Sequence, residues 1–230
     1  RHIEVGIDGG LACSEKPTGV GFHAQSILAA LFSRRNNQIR YHLYLPPGGQ
    51  IGSDLPPHVV VHRRPDVNVL IKQPWMIYRS YADRLDVFYS FGHRISRWLR
   101  GRKIITIHDT IYDQYPEFYP PGVARAISEE VRSALRDTNE VVTVSEDAAR
   151  SLTEIYRFER PITVIDNAPR SMFSPGLENK KTLNELGIRT QYFLFVGRID
   201  SRKNVKRIVE AYRLLLQQGS VCSLVLVGPI

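Results

Sequence analysis

Short apolar runs alternate along the chain with segments of helical periodicity. Some of these runs alternate in polarity and others are continuously apolar, and continuous apolar runs between helices are typical of strands buried on both faces of a parallel sheet. Before residue 167 they occur at 2–8, 40–46, 58–63, 86–92, 103–109, 140–145 and 161–166. The pattern therefore predicts an α/β fold, in which helices cover both faces of a parallel sheet.

The helical segments between these runs have recognisable faces and ends. Residues 20–34 and 122–139 read as helices, and the apolar stripe of the first comprises Phe22, Ile27, Leu28 and Leu31. Ser145 is placed to cap a helix over 146–156, because its hydroxyl can accept from free backbone N–H groups.

The composition and the periodicity of the chain change after the last of these apolar runs. Residues 167–180 are polar, contain two prolines and lack periodicity, which is typical of a linker. A new strand–helix–strand pattern then follows at 192–197, 204–219 and 223–228. We therefore predict a Rossmann-like domain over 1–170, a linker over 171–190, and the start of a second Rossmann-like domain over 191–230.

Composition narrows the class of partner. The 43% hydrophobic content is sufficient for a buried core, and the net charge of +8 favours an anionic partner. No apolar run is long enough to span a bilayer, and the N-terminus lacks a signal-peptide pattern. Cys13 and Cys222 form no CxxC pair, which favours reduced thiols and a cytoplasmic location.

Basic residues follow the predicted strand 192–197. Gly197 would let a ligand approach the backbone, Arg198 offers a planar fork of donors, and Lys203 adds charge before a helix N-terminus. This arrangement is typical of a diphosphate site. A solvated basic turn explains the same residues.

A glycine pair follows the first strand and precedes the first helix. Gly19 and Gly21 would permit a tight loop whose N–H groups could bind phosphate or sugar hydroxyls. A purely structural turn is the alternative, because the match to a dinucleotide fingerprint is poor.

His108 and Asp109 end the predicted strand 103–109, where a ligand cleft would open. His108 could donate to a substrate oxygen, and Asp109 could orient or accept. A core histidine beside a helix-capping aspartate is the alternative.

Cations surround Trp98 and Leu99 in the segment 94–103, a pattern that suits an anionic lipid surface. A solvated loop explains the same charges. The chain shows neither zinc-ligand spacing nor an aromatic-rich RNA-binding signature, so nucleic acid is not expected as a partner.

Taken together, these stretches resemble the retaining GT-B glycosyltransferases of family 4, especially their bacterial mannosyltransferase-like members. The matching stretches are TGVG after the first strand, DVFYSFGH, IHDTIYDQYPEFYPP, VTVSEDAARSL, and YFLFVGRIDSRKNVKRIVEAY with LVLVG after it. Their order and spacing match over nearly the whole chain, and the last block is the most specific.

The resemblance implies a hexosyltransferase of polysaccharide or glycoconjugate biosynthesis. GDP-mannose is the favoured donor, and a UDP-sugar is the second candidate. The acceptor would be a glycan or a lipid-linked sugar, and the anomeric configuration would be retained. His108 would contact the sugar, and Arg198 and Lys203 would hold the donor diphosphate. No metal and no cofactor are expected, because basic residues and a helix dipole would neutralise the leaving group.

The chain departs from the family pattern in two places. The family usually has an IPNGVD-like stretch before the linker, where this chain has VIDNAPRSMFSP; we expect the difference to touch no catalytic group. The family's paired-glutamate segment and base pocket would lie beyond residue 230. The chain as given is therefore expected to bind donor weakly, to be inactive, and to self-associate through apolar edges of 192–230.

Two alternatives stay open. Another GT-B sugar-nucleotide enzyme, such as an epimerase, would act without an acceptor. A non-catalytic basic module would bind a membrane or nucleic acid and no nucleotide sugar.

Overall fold

The computed structural model describes residues 2–14, 17–34, 36–52, 55–66, 72–169, 173, 180–189 and 191–229. The chain divides into two compact units, Arg1–Pro169 and Arg170–Ile230.

A parallel sheet in the order β3-β2-β1-β4-β5-β6-β7 forms the centre of the first unit. Its strands are β1 Ile3–Asp8, β2 Ile39–Leu45, β3 Val59–Arg63, β4 Val87–Ser90, β5 Arg102–Ile107, β6 Glu140–Thr143 and β7 Ile162–Val164. Each predicted run overlaps one of these strands, and β2 and β5 begin one residue before the predicted runs 40–46 and 103–109. The predicted α/β class with a parallel sheet is confirmed.

The helices of this unit are α1 Gly19–Ser33, α2 Lys72–Ala82, α3 Ile111–Gln114, α4 Val123–Asp137 and α5 Glu146–Tyr156. Short 3-10 helices lie at Gly10–Cys13 and Pro116–Phe118. Ser145 caps α5 as predicted, since its Oγ accepts from the Ala148 N–H at 3.1 Å. The pattern did not predict α2, whose Pro74 lies in the first turn, where a missing N–H breaks no helical hydrogen bond.

The predicted stripe of α1 is confirmed in part, since Leu28 is buried and Ile27 and Leu31 are half-buried against the same core. The buried face carries Gly21, His23, Ala24, Leu28 and Phe32, so Leu28 alone of the predicted set is fully buried. Ala24, Leu28 and Phe32 pack with Ile7, Leu43 and Phe91 in one core cluster. The predicted stripe did not include His23, which lies on the buried face of the helix.

The second unit contains α6 Lys180–Glu185, β8 Tyr192–Val196, a 3-10 helix Ser201–Lys203, α7 Val205–Gln217 and β9 Ser223–Val227. β8 pairs with β9 in parallel, as the sequence predicts for a strand–helix–strand segment. α6 lies inside the stretch predicted as a linker; of that stretch, 171–190, the structure describes 173 and 180–189. The apolar side chains of β8 are largely exposed, with Val196 at 70%.

Glycines allow the ends of β8 and β9 to meet. Gly228 has a φ of 154°, and a Cβ there would lie 1.8 Å from the Gly197 carbonyl oxygen. Gly197 in turn donates its N–H to the Val227 carbonyl at 2.9 Å. A side chain at Gly228 would therefore separate the strand ends that bring Gly197 and Arg198 to the mouth of β8.

Candidate active site

A cavity of about 600 Å³ opens at the carboxyl ends of the first unit's strands. The strand order reverses between β1 and β4, and ligands of open α/β sheets bind in the crevice that such a reversal leaves. The lining comes from the ends of β1, β4 and β5 and from the start of α1, and it includes Asp8, Thr18, Phe91, His108 and Asp109. His108 and Asp109 therefore lie in the cleft where the sequence predicts them.

His108 follows β5 directly and is partly buried. Its Nε2 lies 3.3 Å from the Phe91 carbonyl oxygen, which accepts, so Nε2 carries the hydrogen of the neutral ring. Burial, and next the neighbouring His23, lower the pKa of His108 below its usual value. The ring is therefore neutral at pH 7 and presents Nδ1 as a hydrogen-bond acceptor, whereas the sequence predicts a donor to a substrate oxygen.

Asp109 is exposed at the mouth of the cleft, where its Oδ1 accepts from the Ile111 N–H at 3.2 Å. The carboxylate thus stabilises the start of the four-residue helix α3. One oxygen remains for a substrate hydroxyl, so the capping role and a binding role are compatible.

The glycine pair is not a loop. Gly19 and Gly21 form the first turn of α1, which Thr18 precedes without a side-chain cap. A Cβ on Gly21 would lie 3.0 Å from Pro17 Cβ and 3.1 Å from the Leu11 carbonyl oxygen, whereas a Cβ on Gly19 would meet open space. Gly21 therefore serves close packing, and the helix start, with its uncapped amides, lines the cavity.

Sequence reasoning missed several charged residues of this cleft. Asp8 ends β1 and pairs with Lys72 of α2 at 3.1 Å. Glu130 of α4 accepts from His93 at 3.1 Å and from Arg94 at 2.9 Å, and the Arg94 hydrogen bond is the main cause that lowers the pKa of Glu130. Asp8 was visible in the sequence as a lone carboxylate at the end of an apolar strand.

In the second unit, Arg198 and Lys203 are both exposed beyond the end of β8. Lys203 closes the 3-10 helix, where its backbone N–H is bound by the Asp200 carboxylate at 3.1 Å. α7 begins two residues later, at Val205, and Asn204 gives it no side-chain cap. Among the described residues no ion pair engages the side chain of Arg198 or Lys203, so both cations are available to an anion.

The basic segment 94–103 is more heterogeneous than the sequence indicates. Leu99 is only 4% exposed and packs with Phe88 and Met76, so its prediction as part of an exposed apolar wedge is wrong. Trp98 is 62% exposed, and the Arg97 guanidinium lies 4.7 Å from its ring centroid. Arg94 pairs with Glu130, and Arg102 with Glu140. Arg97, Trp98 and Arg100 therefore remain exposed beside one another.

His42, His62 and Asp83 bring three metal-ligand atoms within 4.8 Å of one another, a cluster that the sequence analysis did not predict. Arg79 donates to His62 Nδ1 at 2.7 Å, which leaves the hydrogen of a neutral His62 on Nε2. That nitrogen donates to His42 Nδ1 at 2.9 Å, and His42 Nε2 donates to Glu4 at 2.8 Å.

Every ring nitrogen of this pair is therefore satisfied by a hydrogen bond. A cation would need the lone pair of His62 Nε2, which is available only if Arg79 withdraws. The cluster is accordingly a hydrogen-bond network that joins β1, β2, β3 and α2.

The network predicts acid sensitivity. Burial lowers the pKa of His62 to about 4, with Arg79 and His42 acting in the same direction and Asp83 opposing them. The usual value is 6.5, so between pH 6.5 and about 4 the unfolded chain binds a proton that the folded chain rejects, and folding stability falls. In thermal unfolding experiments, the stability of the wild type should fall more between pH 7 and pH 4.5 than the stability of His62→Gln. His58→Gln, which alters a histidine outside the network, should keep the wild-type slope; equal slopes in all three proteins would contradict the prediction.

Comparison with known proteins defines the class and then the family. The search of solved structures gives sucrose-phosphate synthase from Thermosynechococcus elongatus, with a TM-score of 0.67, 16% identity, and coverage of 99% of this chain and 62% of that chain. At that identity the likeness shows the fold, an α/β glycosyltransferase architecture of the GT-B type.

The family is shown by sequence. The model of Glycosyltransferase Family 4 matches residues 17–168, about two thirds of the chain, and the chain belongs to this family. A curated relative, the O-antigen chain mannosyltransferase B of Escherichia coli, is 25% identical over 154 residues, which cover 63% of this chain and 38% of the relative. The chain thus spans less than two thirds of the length of either relative. Among its described residues, no helix is both long and apolar enough to cross a membrane.

Proposed function

We propose that the chain is part of a hexosyltransferase that transfers a sugar from a nucleotide donor to a glycan or lipid-linked acceptor, with retention of configuration. The observation that carries this proposal is the cleft where the strand order reverses between β1 and β4. In this cleft the partly buried His108 presents its Nδ1 as a hydrogen-bond acceptor, and Asp109 presents an exposed carboxylate. A neutral imidazole and a carboxylate can each bind a sugar hydroxyl.

The donor side of the proposal rests on Arg198 and Lys203. Both cations are exposed where β8 ends and α7 begins, a location that suits a diphosphate because the helix N-terminus adds partial positive charge. GDP-mannose is the first choice of donor and a UDP-sugar the second; the choice of mannose is supported by the name of the Escherichia coli relative, a mannosyltransferase. No metal or cofactor belongs to the proposal.

A donor screen on the longest natural form of the chain tests this function. Each nucleotide sugar is incubated with and without a glycan acceptor, and nucleotide release and product mass are measured. Acceptor-dependent release with a product heavier by one hexose is the expected result. Epimerised or hydrolysed donor without acceptor would instead indicate another sugar-nucleotide enzyme, and no turnover of any donor would contradict the proposal.

Contact with an anionic membrane and a cytoplasmic location complete the proposal. Arg97, Trp98 and Arg100 form the exposed patch that supports it, and each cation near an anionic surface contributes about 1 kcal/mol. Self-association through the exposed apolar side chains of β8 is proposed on the same footing.

Vesicle sedimentation tests the membrane contact. Arg97→Ser/Arg100→Ser should reduce binding to phosphatidylserine vesicles about tenfold or more at low salt, because two cations contribute about 2 kcal/mol. Arg102→Ser is the matched control, since Arg102 already pairs with Glu140 at 2.6 Å. Equal partitioning of wild type and double variant would end the membrane proposal and leave the glycosyl-transfer proposal intact.

A further inference from the structure

His23 is a buried polar residue that the proposed chemistry does not yet use. It lies on the buried face of α1 and is only 7% exposed. Its ring meets the His108 ring edge-on, with centroids 4.9 Å apart and planes at 87°. Phe91, whose carbonyl accepts from His108, lies 6.3 Å from the same His23 ring.

Asn167 determines which nitrogen of His23 carries the hydrogen. Its side-chain oxygen lies 2.9 Å from His23 Nδ1 and accepts from it. The other nitrogen, Nε2, is then unprotonated, and it is buried without a hydrogen-bond partner among the described residues. A buried hydrogen-bond acceptor without a partner lowers the stability of the fold. We therefore expect a functional role for His23 in its contact with His108.

The neighbourhood constrains His108 from two sides. The Phe91 carbonyl accepts one hydrogen bond from His108 Nε2. An imidazole ring held by only one hydrogen bond can still rotate about χ2. The His23 ring packed at 87° against it restricts that rotation. The Nδ1 of His108 is thereby held in one direction.

We propose that His23 is a positioning residue for His108, and that Asn167 holds His23 in the orientation and tautomer that this requires. The inference rests on the proposed function for its catalytic consequence but not for its geometry. Asn167 also lies two residues before the first unit ends at Pro169.

The pKa of His108 supports the same contact with His23. His23 is the second cause, after burial, that lowers the pKa of His108. Loss of the His23 ring should therefore raise the pKa of His108 towards 6.5. The tautomer of His108 separates positioning from mere proximity, because a neighbour that only packs against the ring would leave the hydrogen on Nε2, where Phe91 accepts it.

Nuclear magnetic resonance titration of the His108 side-chain nitrogens in this chain provides the first test. His23→Asn keeps a donor near Asn167 but removes the ring, and Asn167→Ala removes the acceptor in an exposed segment whose change should not prevent folding. Both variants should raise the pKa of His108 and mix its two tautomers. His58→Asn, which alters another histidine with a buried, unpartnered Nε2, should leave His108 unchanged.

Kinetics of the longest natural form provide the second test. His23→Asn should lower kcat roughly tenfold with little change in the KM for donor, and should move the acidic limb of the pH profile to higher pH. Absence of transfer by the wild type would overturn the proposed function, while the titration would still decide the positioning role. Wild-type titration of His108 in both variants would overturn the inference, and a shift in His23→Asn alone would overturn the part assigned to Asn167.

Discussion

Replacement of His108 by alanine should lower kcat/KM for glycosyl transfer by about 10²-fold or more, the range in which positioned acid–base groups contribute. The ring lies in the cleft at the carboxyl end of β5, and its Nδ1 is free to accept from a sugar hydroxyl because Nε2 is bound by Phe91. His108→Gln, whose amide can still reach the Phe91 carbonyl, should retain more activity than alanine.

The pH dependence gives an independent measure of the same group. Because the pKa of His108 lies below 6.5, the neutral form persists in mildly acidic solution. The wild type should therefore keep its kcat/KM from pH 7.5 down to 6.5 and lose it only as the pH falls through the lowered pKa of His108. His58→Ala serves as control, since His58 lies outside the residues that line the cleft. If His108→Ala shows the kinetics of the wild type, then His108 does not contact the reacting sugar and the prediction is wrong.

The sheet was predictable because its signal is local. Largely apolar runs such as VFYS and EVVT are buried between layers of helices, and a serine before a charged turn marks a helix start. The helix α2 was not predictable on that basis. Its Pro74 and its exposed Tyr78 and Tyr81 interrupt the apolar period, so packing of Met76 rather than local pattern decides the element.

The site was predictable only in part, because contacts across long sequence separations leave no local signal. His108 and Asp109 follow from the position of a strand end, but the partner of His23 lies 144 residues away, at Asn167. The burial of His23 was not predicted, because a polar residue adds nothing to an apolar stripe and therefore leaves no signal in the pattern. Leu99 was misjudged for a related reason, since its neighbours Trp98 and Arg100 are exposed while its own side chain turns into the core.

Replacement of Arg198 or Lys203 by alanine should each lower kcat/KM about tenfold to a hundredfold. A charged hydrogen bond to phosphate contributes roughly 1.5–3 kcal/mol, which corresponds to that range if the bond acts in the transition state. Both side chains are exposed at the junction of β8 and α7 and are available to the leaving diphosphate. Because every acceptor shares the same donor, the loss should be equal for all acceptors.

The appropriate control is a nearby cation that faces a different partner. Lys206 lies in the first turn of α7 and its Nζ is 4.0 Å from Glu210, so Lys206→Ala removes the same charge from a solvated pair. We expect kinetics within about twofold of the wild type for this variant, since a solvated pair contributes little. Direct binding of GDP and UDP, measured by calorimetry, should weaken in Arg198→Ala and Lys203→Ala and not in Lys206→Ala. If all three variants bind and turn over alike, then GRIDSRK is a solvated turn, and the diphosphate must be held elsewhere.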